Sequence, residues 1–168
     1  WTSGILVGIG ETWEERIDSL YALKELNDAF GHIQEIIIQN FSPKQGITME
    51  KYPPPDFIDM LKIVAISRLI FGEGMNIQIP PNLNPDTYPL FVHAGVNDLG
   101  GVSPITIDYV NPEAPWPKLE IMRNIIEDMG FTLRERLPVY PEFIGRKYIN
   151  DDLLRLVRDA VDEQGYVP

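Results

Sequence analysis

A chain of 168 residues with 44% hydrophobic and 23% charged residues can build one sizeable core and has the balance of an ordinary globular protein, not a disordered one. Its formal charge of −11, without any dense Lys/Arg cluster, argues against nucleic acid and anionic lipid as partners. The absence of cysteine excludes disulfides, Cys-ligated zinc, iron–sulfur ligation and thiol nucleophiles from this chain.

Ser3 to Ile9 reads as a short buried strand. Thr12 and Glu15 then form a capping box that opens a helix running to about Phe30, with Gly31 just past its end. Ile17, Leu20, Tyr21, Leu23 and Leu26 form its apolar stripe. Ile33 to Asn40 is the next strand; its run Ile36, Ile37, Ile38 suits a parallel sheet buried on both faces. A loop with prolines and a glycine leads to a helix from Asp56 to about Phe71, and Asn76 to Pro80 gives a third strand. A short helix is expected over Asp86 to Ala94, weakened at Pro89. A fourth strand starts near Asn97 and fades into a Gly-rich loop, and helices follow from about Lys118 to Met129 and from Asp151 to Glu163.

Strands alternating with helices make the fold class α/β. Four βα units of roughly 40 residues amount to about half of an eight-unit barrel of ~250 residues, so one domain, or part of one, is expected over residues 1–168. No apolar run approaches the ~20 residues of a membrane span, and no basic, apolar leader opens the chain, so the cytoplasm is the expected location.

Gly95 to Pro117 carries the densest chemistry. Asn97, Asp98, Ser103, Thr106, Asp108 and Asn111 offer donors and acceptors, Gly100 and Gly101 allow close backbone approach, and four prolines restrict the loop. The same Asn and Asp residues also suit turn caps. His32 and His93 have no partner at metal-ligand spacing and read as structural, and Trp116 between two prolines reads as a packing anchor. No metal site and no general acid or base is evident.

Gly4 to Glu11 (GILVGIGE) places two glycines in a strand, where a planar ligand or another backbone can come close. It meets the dinucleotide fingerprint only in part, because Trp13 stands where the third small residue belongs. The octet resembles the G-x-I-x-G-x-x-E motif of the radical S-adenosylmethionine (SAM) enzymes, with Leu6 in place of Ile. Ile36 to Met49, Ile77 to Pro85 and Ala94 to Pro117, in that order, resemble the FO synthase branch of those enzymes, which closes the deazaflavin chromophore.

The resemblance implies the C-terminal half of a radical SAM (β/α)8 barrel whose N-terminal half binds a [4Fe-4S] cluster through a C-x-x-x-C-x-x-C motif and cleaves SAM. It implies that the resulting radical acts on an adduct of a tyrosine-derived hydroxybenzyl group with 5-amino-6-ribitylaminouracil, with ring closure and loss of ammonia. The adduct comes from a second radical SAM subunit, separate or fused. By the same resemblance, Leu6, Gly8, Glu11, Gln39, Asn40 and Phe41 lie near SAM; the hydroxyls, carbonyls and N–H groups of a ribityl chain and pyrimidine match the donors and acceptors of the loops, so Asn82, Asn97, Asp98, Gly101, Ser103 and Thr106 are expected to face the substrate. Without cluster thiolates, the chain is expected to be inactive alone. The alternatives are another radical SAM enzyme, of the menaquinone or biotin type, and a non-catalytic half-barrel that binds a ligand or completes a cysteine-bearing partner.

Overall fold

The computed structural model describes residues 1–168, which form two compact units, Trp1–Lys118 and Leu119–Pro168. In the first, β1 (Thr2–Val7), α1 (Trp13–Phe30), β2 (Glu35–Asn40), α2 (Phe57–Phe71), β3 (Asn76–Gln78) and α3 (Tyr88–His93) follow one another. The three strands make a parallel sheet in the order β1-β2-β3, with Gly4 opposite Ile37, Leu6 opposite Gln39 and Ile36 opposite Ile77.

Strand alternation sorts these side chains onto two faces. Val7, Ile36, Ile38 and Ile77 share one face and are fully buried, as are Leu20 of α1 and Ile63 and Val64 of α2, the helices that pack on the sheet. Removing each such side chain from water contributes about 1.5–3 kcal/mol. The opposite face carries Gly4, Leu6, Ile37, Gln39 and Gln78, and Leu6 remains 41% exposed there.

The helix ends follow from local chemistry. Thr12 Oγ1 accepts the Glu15 N–H at 3.2 Å while the Glu15 carboxylate accepts the Thr12 N–H at 2.7 Å, and Gly31, at φ +58°, donates its N–H to Asn27 O. Asp56 caps α2 by accepting the Asp59 N–H at 2.8 Å. Pro89 is tolerated in α3 because it lies in the first turn, where no helical donor is needed.

Several expectations are corrected. The fourth strand is reduced to one parallel bridge between Gln78 and Asp98, so the sheet has three strands. The N–H groups of Asn97 and Asp98 both donate to Ile77 O, and then Asp98 Oδ1 takes the Gly100 N–H at 2.7 Å and turns the chain away at φ +70°. The stripe of α1 is narrower than its apolar residues suggest: Leu20 is buried, but Tyr21 and Leu26 are about half exposed. Arg16 takes part of the inner face instead, at 8% exposure, held by Glu11 at 2.6 Å and Asp59 at 3.3 Å. Finally, β1 ends at Val7, because Gly8 and Gly10 adopt φ near +100°, and β3 ends at Gln78, just before Ile79, Pro80 and Pro81.

The second unit holds α4 (Leu119–Asp128) and α5 (Asp151–Asp159). Arg134 binds Asp162 and Gln164 and lies over the Tyr166 ring, and Val167 N–H donates to Glu135 O at 2.9 Å. Asp162 also accepts the N–H groups of Gln164 and Tyr166, which folds the chain into a turn and stops α5 short of the expected Glu163.

Candidate functional site

The turn after β1 is built around Glu11. Its carboxylate accepts the N–H groups of Gly8 and Ile9, each at 2.7 Å, and the Arg16 guanidinium at 2.6 Å. Burial opposes its charge, but the Gly8 N–H, its own N–H, Arg16 and the Ile9 N–H outweigh that penalty and hold the carboxyl below its usual value. Glu11 therefore fixes the loop, and Gly8 fits because a Cβ there would lie 2.7 Å from the Pro55 ring. At Gly4 the close neighbour is backbone: a Cβ would stand 2.1 Å from Ile37 O, so β2 occupies the space that the missing side chain leaves.

An open groove of about 320 Å³ runs along these strands, lined by Thr2, Gly4, Leu6, Ile37 and Gln39 among others. It brings together two of the residues expected near SAM, Leu6 and Gln39, which are register partners across β1 and β2. Phe41 is buried and its N–H donates to Val7 O at 2.8 Å, so its backbone joins the two strand ends. Asn40 faces the loop after β3: its Oδ1 accepts Asn84 Nδ2 at 2.9 Å and its Nδ2 donates to Leu83 O at 3.4 Å.

The residues expected to face substrate separate into two kinds. Asn97 spans β3 and its neighbours, with Oδ1 accepting the Ile77 N–H at 2.8 Å and Arg68 Nη2 at 3.0 Å, and Nδ2 donating to Asn76 at 2.8 Å. Asp98 turns the loop as described, Ser103 Oγ accepts the N–H groups of Ile105 and Thr106 and the Thr106 hydroxyl, and Gly101 is exposed with open space beside it. These side chains shape the loop. Asn82 differs: it is 3% exposed, Nδ2 donates to Asp108 Oδ2 at 2.8 Å and Ala114 O at 3.3 Å, and its Oδ1 is enclosed with no protein donor.

Asp108 organises that corner. Its carboxylate accepts Asn82 Nδ2, Asn111 Nδ2 at 2.9 Å and the N–H groups of Val110 and Asn111, and Lys44 Nζ donates to Asn111 Oδ1 at 2.8 Å while pairing with Glu113. Burial acts against the Asp108 charge, but the bonds from Asn111, Asn82 and Val110 outweigh it and lower its pKa. The loops after β2 and β3 and the Gly-rich loop thus meet in one polar cluster beyond the C-terminal ends of the strands, where open parallel sheets place their ligands.

No protein-family model matches the chain. Among curated proteins it is 49% identical over 166 residues to the 7,8-didemethyl-8-hydroxy-5-deazariboflavin synthase of Methanopyrus kandleri, covering 99% of this chain and 49% of that protein. The proteins of the same name in Methanocaldococcus jannaschii (51%; 99% of this chain, 45% of the relative) and Methanothermobacter thermautotrophicus (50%; 95% and 48%) agree. The chain belongs to the deazariboflavin synthase family. It spans about half the length of the curated relatives it matches.

Within this chain no three His, Cys, Asp or Glu side chains converge on a metal position, and there is no cysteine, so its residues do not fit an iron–sulfur cluster. The open groove offers an apolar wall from Leu6 and Ile37 and a polar amide from Gln39, groups of the kind an adenosyl ligand can contact. Sequence reasoning did not single out Lys44 and Asn84, although both lie in segments that carry the resemblance, because their contacts with Asn111 and Asn40 span more than 40 residues. Asp108 and Asn111 were visible as polar loop residues, but their convergence on Asn82 depends on the fold. No helix is long and apolar enough to cross a membrane.

Proposed function

We propose that this chain is the C-terminal half of a radical SAM (β/α)8 barrel that closes the deazaflavin ring from the hydroxybenzyl adduct of 5-amino-6-ribitylaminouracil, with loss of ammonia. The observation that carries the proposal is about 50% identity, over nearly the whole chain, to proteins named for the deazariboflavin product. The groove beside Leu6 and Gln39 takes SAM, which when bound supplies the oxidising radical chemistry. Glu11 holds the turn that borders this groove. The cluster beyond β3 takes the substrate, whose hydroxyl, carbonyl and N–H groups match its neutral donors and acceptors, each bond contributing about 0.5–1.5 kcal/mol net. The cluster ligands belong to the remainder of the full-length protein, and the second synthase subunit supplies the adduct.

The test is anaerobic turnover by the full-length protein with SAM, reductant and the adduct, followed by mass spectrometry. Deazaflavin and ammonia are the expected products. Cleavage of SAM without deazaflavin would reassign the chain to another radical SAM reaction.

A further inference from the structure

We infer that Asn82 is the specificity-determining residue of the substrate site, its carboxamide locked so that Oδ1 accepts a hydrogen bond from an N–H or O–H of the bound molecule. This rests on the deazaflavin-forming reading above. The lock is chemical. Both groups that touch Asn82 Nδ2, the Asp108 carboxylate and Ala114 O, are acceptors only, so the amide cannot reverse without setting oxygen against oxygen. Asp108 is ionised and already oriented by Asn111 and Val110, which makes it the positioning residue. Oδ1 is then an enclosed carbonyl oxygen with no protein donor, in a residue 97% withdrawn from solvent, and such oxygens are rare in folded chains.

The arrangement selects for a donor. A carboxylate or phosphate would meet both Oδ1 and the nearby Asp108 charge without a proton to share, whereas a pyrimidine imide or a polyol hydroxyl satisfies the oxygen directly. In the ribitylaminouracil portion of the substrate both groups are present, and single-site analogues tell them apart.

Anaerobic calorimetry on the reconstituted full-length protein would compare the hydroxybenzyl adduct of 5-amino-6-ribitylaminouracil with its N3-methyl analogue and with single-deoxyribityl analogues. On the unaltered protein, the analogue lacking the donor that Oδ1 accepts should bind about tenfold or more weakly. On Asn82→Ala, which should keep its affinity for SAM, the parent should fall to that analogue's level and the distinction should vanish. Asp108→Asn, whose amide no longer dictates the orientation of Asn82, should narrow the same ratio and serves if the alanine variant does not fold. An unchanged order and spacing of affinities in the folded variants would overturn the assignment. Failure of the unaltered protein to bind the parent, with SAM binding intact, would instead overturn the deazaflavin reading on which it depends.

Discussion

Glu11 illustrates how one side chain couples stability to pH. Its folded pKa lies below the ordinary glutamate value of about 4.3, so the stability it contributes is complete above that value and is lost as pH falls through the folded pKa. Glu11→Gln keeps the shape but removes the charge that binds two N–H groups and Arg16, and should cost about 1–2 kcal/mol at neutral pH. Thermal melts of both proteins should show this gap closing as pH falls below about 4, and a gap that widened in acid would refute the assignment. Gly4→Ala should destabilise by about 1–3 kcal/mol in denaturant titrations, because its methyl group would be driven into the Ile37 carbonyl. The sequence left ligand and backbone as equal reasons for that glycine; only the register of β1 on β2 decides for backbone.

Among the elements, α1 and α2 were legible because their caps are local, as Thr12, Glu15 and Asp56 show. The expected fourth strand was not, since its apolar and polar residues suit a strand while the turn at Asp98 and Gly100 needs the Ile77 carbonyl to anchor it. Arg68 and Asn97 reinforce that anchor: Arg68 donates to Gly95 O, Gly72 O and Met75 O as well as to Asn97. Asn97→Ala leaves the Ile77 N–H without its side-chain acceptor and should lower stability by about 1–3 kcal/mol, read as a shift in the denaturation midpoint. If Asn97 served substrate alone, the midpoint would not move and only KM would rise.

At the scale of the molecule, β1 is an unpaired sheet edge, β3 is covered by the short bridge to Asp98, and the face bearing Leu6 and Gln39 is open. An exposed parallel edge and an open sheet face invite association, so this chain expressed alone should elute from size exclusion as oligomers or aggregates, and a monodisperse monomer with sharp reversible unfolding would contradict the half-barrel reading. The α/β class was readable from alternating periodicities, and the order of the glycine and asparagine motifs pointed to the right family. The polar corner of Lys44, Asn82, Asp108 and Asn111 was not readable as a unit, because it joins residues up to 67 positions apart. With SAM proposed along β1 and β2 and substrate beyond β3, amide hydrogen exchange on the full-length protein tests both zones at once. SAM should protect the backbone from Gly4 to Ile9 and from Gln39 to Phe41, and the adduct should protect the segment around Asn82 and that from Asp108 to Ala114. Protection by either ligand confined to residues outside these segments would contradict it.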